Sequence, residues 1–369
     1  MQHGIKREKL SENARKTKQE KDKLKIKHYR RLTARCLDNK HKKIFTKETL
    51  AETETLLDLN PEFNAIWNYR RDILVHLFDC GEIKKKDVLE KDLMMVMQML
   101  KRFPKCYWIW NHRYWCLAQL QNDNEANWKF ELGIVSKLLE LDSRNYHGWH
   151  YRRYVIENME NVARARAEGD KGKQVLAELQ IDLMDFQYTT EKINKNLSNF
   201  SAWHNRANLI PKIFDELEKF HDSEALEQYS EILKIFESPT TLIKHDLDLL
   251  KTGIYMDAED SSIWKYMHWL VSEDLFVKDL EQREEFKAVI TQLLKDVEEL
   301  NALEKEDSAN DSDSVWCLKT MVMLKALLLR GNEVSALDEV KAHLERLIEL
   351  DPLRKGHYKD QLAGEAPLF

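Results

Sequence analysis

The sequence predicts an all-α protein, a right-handed α-α superhelix of helical hairpin repeats closing into a crescent-shaped solenoid. Three observations lead to this class. Trp67, Trp110, Trp149, Trp203, Trp264 and Trp316 each sit early in a helix-like segment, and the first four are followed three residues later by Arg70, Arg113, Arg152 and Arg206. A self-similar unit at this spacing is the mark of a repeat architecture. Each interval between tryptophans holds a second apolar stripe of helical period. Finally, 10 glycines and 6 prolines in 369 residues are too few for the many turns of a sheet protein.

Residues 1–43 read as a basic arm or leader helix, with 16 Lys/Arg against 5 Asp/Glu. That local +11, against −6 for the whole chain, leaves −17 on the remainder. A basic arm is one signature of nucleic-acid contact. Here Glu8, Glu12, Glu20 and Asp22 interrupt it, and Leu24, Tyr29 and Leu32 give a weak apolar stripe, so a solvated leader that docks on the body fits better. No apolar run reaches the length of a membrane span. The lysine-rich start lacks the apolar core of a secretory signal. Five scattered cysteines (Cys36, Cys80, Cys106, Cys116, Cys317) show no paired metal spacing, which suits reduced thiols in a cytoplasmic protein.

Residues 44–369 read as one repeat domain. The tryptophans are spaced by 43, 39, 54, 61 and 52 residues. The intervening stripes are Leu89, Leu93, Val96, Met97 and Leu100, then Trp128, Leu132, Val135, Leu138 and Leu139, then Leu176, Leu179, Leu183 and Phe186. Each unit is therefore a hairpin that buries its apolar face only by stacking on its neighbours. The wider late spacings predict longer loops, and Asn301 to Ser314 is the most loop-like stretch after the leader. Trp at i and Arg at i+3 share a helix face. An indole fills the gap between hairpins, while a guanidinium beside it requires carbonyl or carboxylate acceptors from the adjacent unit. These residues hold the array together. In the fifth and sixth units Met267 and Lys319 occupy the arginine slot.

Departures from the repeat point to chemistry. Five and three positions before the tryptophan, units two and three carry Lys105 with Tyr107 and Arg144 with Tyr146. The first unit has Glu62 and Asn64 in these slots, and the fourth has Ser198 and Phe200. Two neighbouring units thus present a cation and a phenol at a helix mouth, where unpaired N–H groups add partial positive charge. The combination suits a phosphate or diphosphate, the plainer alternative being ordinary exposed cations at loop ends. No glycine-rich phosphate loop, His-Glu-x-x-His or Cys-x-x-Cys is found, so any chemistry is incomplete without a partner.

The unit Pro-x-x-x-x-x-Trp-x-x-Arg, seen in Pro61 to Arg70 and Pro104 to Arg113, resembles the repeat of protein prenyltransferase α-subunits over approximately residues 45–330. Within that family the chain is most similar to the Rab (type II) geranylgeranyltransferase α-subunits, in the compact form without immunoglobulin-like or leucine-rich-repeat domains. Three stretches carry this: Met1-Gln2-His3-Gly4, Asp142 to Trp149 with arginine at 144, and Asp260 to Tyr266. The resemblance implies a heterodimer with a β-subunit that holds the zinc, this chain binding no cofactor itself. It implies geranylgeranyl diphosphate as donor, and Rab GTPases presented by an escort protein as acceptors. Lys105, Tyr107, Arg144 and Tyr146, with Asn145 and His147, fall on the family's diphosphate-end motifs, and His3 on an N-terminal histidine able to reach the partner's zinc. The resemblance leaves two rivals open: a shared α-subunit of farnesyl- and type I geranylgeranyltransferases, and a non-catalytic helical-repeat scaffold.

Overall fold

The computed structural model of the chain describes residues 11–220, 224–277, 284–330 and 337–368, and among these every regular element is helical. They fall into two compact units, divided along the chain between Val155 and Ile156. Up to that point run α1 (Glu12–His41), α2 (Lys47–Leu59), α3 (Asn64–Asp79), α4 (Lys85–Arg102), α5 (Tyr107–Asn122), α6 (Trp128–Leu141) and the start of α7 (Tyr146–Arg166). Beyond it come α8 (Lys171–Lys195), α9 (Phe200–Lys219), a 3-10 segment Glu224–Tyr229 and α10 (Ser230–Ile235). Then follow α11 (Pro239–Met256), α12 (Ser261–Ser272), α13 (Asp274–Val277) and α14 (Glu284–Asp307). The last are α15 (Val315–Arg330), α16 (Leu337–Leu350) and α17 (Lys355–Ala363). Helices pair as hairpins, α2 with α3, α4 with α5, α8 with α9 and α11 with α12, and tryptophan helices stack on one another, α3 on α5 and α9 on α12.

Helix α1 is capped by Ser11, whose hydroxyl accepts from the Ala14 amide, and its residues as far as His28 are exposed. Packing on α2 begins at the next residue, where the Tyr29 hydroxyl accepts from Asn60 Nδ2 at 2.8 Å, and continues through the buried Leu32 and Cys36. The expected stripe therefore starts at Tyr29, and Leu24, at 69% exposure, lies beyond the body.

The first five repeats are each closed by their indole. Nε1–H of Trp67, Trp110, Trp149, Trp203 and Trp264 donates to the carbonyl six residues earlier, that of Pro61, Pro104, Ser143, Leu197 and Ala258, at 2.7–3.0 Å. Tryptophan is suited to this slot because one side chain fills the space between hairpins and also satisfies a carbonyl in the turn that leads into its own helix.

The arginines bridge the helices on either side. Arg70 forks onto Asp92 of α4 (2.8 and 2.5 Å) and reaches back to the Leu50 carbonyl and the Thr53 hydroxyl of α2. Arg113 forks onto Glu131 of α6 and donates to the Leu93 carbonyl of α4. Arg206 forks onto Asp246 of α11, donates to Thr190 of α8 and lies 3.9 Å above the Phe186 ring. Each acid also takes a second partner, the residue just before the next unit's arginine slot. His112 Nε2 lies 2.8 Å from Asp92, the Tyr151 hydroxyl donates to Glu131, and the Tyr266 hydroxyl to Asp246 at 2.5 Å. A buried charge is tolerable only when paired and hydrogen-bonded on all sides, and this three-way contact meets that demand. The variant slots adapt: Met267 is simply buried, while Lys319 reaches Asp351 at 3.0 Å beside the Trp316 ring.

Two expectations about loops are corrected. The wider third interval is filled by longer helices, 21 residues in α7 and 25 in α8, rather than by loop. And α14 continues through Asn301 to Asp307, because Ala302, Leu303, Glu304 and Lys305 are good helix formers, so the loop begins only at Ser308.

Candidate functional site

The turns Phe103–Cys106, before α5, and Asp142–Asn145, before α7, carry Lys105 and Arg144, and the helices they lead into open on Tyr107 and Tyr146. Their tryptophans shape both turns through the Pro104 and Ser143 carbonyls. Asn145, buried at the head of α7, joins one turn to the other. Its Oδ1 accepts from the Gly148 amide at 3.0 Å, and its Nδ2 faces Asp142 Oδ2 at 3.4 Å and the Pro104 carbonyl at 3.5 Å. One unit earlier the Cys106 thiol plays the same part toward the Pro61 carbonyl, at 3.4 Å. Gly148 permits the close approach of α6, since a Cβ there would lie 2.9 Å from Leu139 Cδ2.

Lys105, Tyr107, Arg144 and Tyr146 line one open cavity of 560 Å3, with Asp142, Asn145 and His147 completing its wall. The structure therefore brings together the residues that the repeat comparison singled out. Both cations are exposed, and among the described residues neither is engaged in an ion pair. Tyr107 and Tyr146 are 59% and 66% exposed, so their hydroxyls face outward rather than into a core. No side chain caps the start of α5, which leaves its first-turn amides open beside Lys105. Two cations, two phenols and a helix mouth form a set of donors in water-accessible space, the chemistry that recognition of a polyanion requires.

His147 is an aromatic wall of this cavity. Its ring stands edge-on to Tyr107 with centroids 4.2 Å apart, stacks on Trp110 at 6.1 Å and meets Tyr146 at 5.6 Å. Burial, and secondarily His150, lower its pKa and so favour the neutral imidazole. His3 lies outside the described residues.

Among the described residues one group has close metal-ligand atoms, Asp92, His112 and Cys116, all buried. It does not suit zinc, because Arg70 already forks onto Asp92 and places a guanidinium where a cation would sit. All five cysteines are free and only Cys80 is exposed. No helix is long and apolar enough to cross a membrane among the described residues.

The family profile described as protein prenyltransferase alpha subunit repeat matches residues 46–77, 89–120, 128–159 and 183–213. A Candida albicans protein named geranylgeranyl transferase type-2 subunit alpha is 45% identical, covering 100% of both chains. Proteins of the same name from Saccharomyces cerevisiae and Schizosaccharomyces pombe are 38% and 35% identical, each over at least 96% of both chains. A chain in the structure of Candida albicans protein geranylgeranyltransferase-I complexed with GGPP shares the fold, with a TM-score of 0.57, 20% identity and coverage of 92% and 91%. Repeat, fold and relatives together define a protein prenyltransferase α-subunit. Within that class the chain belongs to the geranylgeranyl transferase type-2 α-subunit family, and so to a transferase.

Proposed function

We propose that this chain pairs with a β-subunit in the cytoplasm and that the heterodimer transfers geranylgeranyl from geranylgeranyl diphosphate to C-terminal cysteines of Rab GTPases, which an escort protein presents. The β-subunit holds the zinc, which when bound would supply activation of the acceptor thiol. His3, at the N-terminus, serves as a removable ligand to that zinc. The observation that carries the reading is the shared cavity of Lys105, Tyr107, Arg144 and Tyr146. As the allylic C–O bond breaks, charge gathers on the departing diphosphate, and donors already in place stabilise it without reorganising. Lys105 and Arg144 supply the charge, the two phenols supply hydrogen bonds, and Asn145 keeps their turns together. A β-subunit is also supported by exposed apolar groups recurring at two slots of the repeat. These are Leu59, Leu141 and Met256 eight residues before the tryptophan, and Tyr107, Tyr146 and Phe200 three before it.

The test is co-expression with a β-subunit, followed by single-turnover transfer to a Rab protein with escort protein and, separately, to a CaaX peptide. Transfer to the Rab alone is expected. Arg144→Ala and Lys105→Ala are each expected to lower the single-turnover rate by about 10–100-fold, less than a fully enclosed oxyanion donor gives because solvent reaches this site. The heterodimer should form normally. Unchanged rates in both variants would remove the role assigned to the cavity.

A further inference from the structure

Away from that cavity, three carboxylates converge on one ammonium. Lys212 Nζ of α9 lies 2.8 Å from Glu160 Oε1 of α7, 2.7 Å from Asp182 Oδ2 of α8 and 3.9 Å from Glu216 Oε1 of its own helix. The Lys212 side chain is 39% exposed, whereas the Asp182 side chain is fully buried and that of Glu216 is 7% exposed. Asp182 Oδ1 and Glu216 Oε2 have no hydrogen-bond partner.

The surrounding charges offer no relief. Glu178 of α8 adds further negative charge and is itself taken up by Arg164 of α7 at 2.7 Å. The Tyr229 phenol, from the 3-10 segment, is engaged by the Gln180 carbonyl. With all three carboxyls ionised, the cluster would bury two uncompensated negative charges, a far costlier state than a neutral acid. A single proton between Asp182 and Glu216 removes one charge and gives an orphaned oxygen its donor. We propose that Asp182 and Glu216 hold one proton between them at neutral pH, making the packing of α9 against α8 a proton-dependent joint.

Consistently, burial pushes Asp182 up to about 8 and Glu216 up to about 7, with Lys212 opposing the rise in both. The two titrate as a pair. The sign follows. Carboxyls with raised folded pKa bind more protons in the folded chain, so their stabilisation is complete below about pH 4 and is lost as pH rises towards 8. When the proton leaves to water, the paired anions repel and the joint loosens.

The experiment compares urea unfolding of the full chain with its Asp182→Asn and Glu216→Gln variants between pH 5 and 8.5, together with infrared spectra across the same range. Relative to wild type, each variant is expected to gain up to about tenfold in folding constant per pH unit as pH rises, one proton's worth. Wild type should show a protonated-carboxyl stretch at pH 6.5 that fades above pH 8 and is absent from both variants. Lys212→Met, which removes the cation drawing the proton off, should shift that fading to higher pH. Parallel unfolding profiles would overturn the proposal. So would a wild-type spectrum at pH 6.5 without the band, even if a variant failed to fold.

Discussion

Arg70 and Asp92, 22 residues apart on α3 and α4, face each other through two parallel contacts in a site where both side chains are at most 2% exposed. His112 of α5 touches the same carboxylate, so a single acid joins three successive helices. Arg113 with Glu131 and Arg206 with Asp246 repeat the arrangement. These buried ion clusters link successive helices of the repeat alongside its tryptophans.

Breaking one partner should be worse than removing both. Asp92→Ala leaves the buried Arg70 with only the half-exposed Glu54, 3.8 Å away, as counter-charge, and is expected to destabilise the chain by about 3 kcal/mol. The double variant Arg70→Met, Asp92→Leu should recover much of that loss, as apolar replacements of buried pairs often do. Urea unfolding of the two singles and the double provides the cycle. A double variant as unstable as the sum of the singles would count against a paired cluster.

The turns under the candidate site depend on two hydrogen-bonding side chains. Trp110→Phe keeps the packing but removes the donor to Pro104, while Asn145→Ala removes the Gly148 cap and the link to the Pro104 carbonyl. Each should cost roughly 1 kcal/mol in stability. In kinetics each should lower kcat more than it raises KM, because the cations remain present but poorly aimed. A change in stability with unchanged kcat would make both purely structural.

Gly253 lets α11 approach α12. A Cβ there would lie 2.5 Å from Ile263 Cδ1, and Ile263 is itself buried with little room to move. Gly253→Ala should therefore destabilise by about 1–3 kcal/mol despite its better helix propensity. Gly133, with open space around its Cβ position, is the control, and Gly133→Ala should be neutral or stabilising. Thermal unfolding separates the two outcomes.

Two buried histidines give stability a second dependence on pH. Burial holds His112 at about 4 against Asp92's opposing pull, and burial with Lys319 holds His268 at about 4. A histidine with a depressed folded pKa stabilises fully above about pH 6.5, and that share is lost as pH falls to about 4. Asp182 and Glu216 act in the opposite direction over much of this range, so each effect is read as a difference between variant and wild type. His268→Gln should lose less stability than wild type between pH 7 and 5, by up to about tenfold in folding constant per pH unit. Equal losses would mean that His268 is not held neutral.

The hairpin class, the tryptophan register and the bridging role of the arginines were legible in the chain because each recurs, and recurrence separates a structural slot from chance. The acids were less visible. Asp92 sits among Leu89, Leu93 and Val96, and an isolated charge inside an apolar stripe was the available sign of its burial. Asn145 stood in the repeat as the residue four before the tryptophan. Its link to Pro104, 41 residues away, was invisible because hydrogen-bond direction depends on how two turns meet. Asn301 to Asp307 misled because its acidic composition suits a loop, whereas the end of α14 tolerates it.

What the amino-acid sequence determined by itself was the unit: an indole and a guanidinium on one helix face, repeated, with two neighbouring units altered to carry Lys105, Tyr107, Arg144 and Tyr146. Such patterns survive in sequence because helix periodicity links residues only three or four apart. The tertiary structure decided which acid each arginine meets, that the four altered positions open into one cavity, and that Asp182, Glu216 and Glu160 share a single ammonium. Apart from Lys212 and Glu216 on one helix, those pairings span 18 to 52 residues of chain, and only the stacking of hairpins, driven by burial of their apolar faces, brings such distant groups within reach of one another.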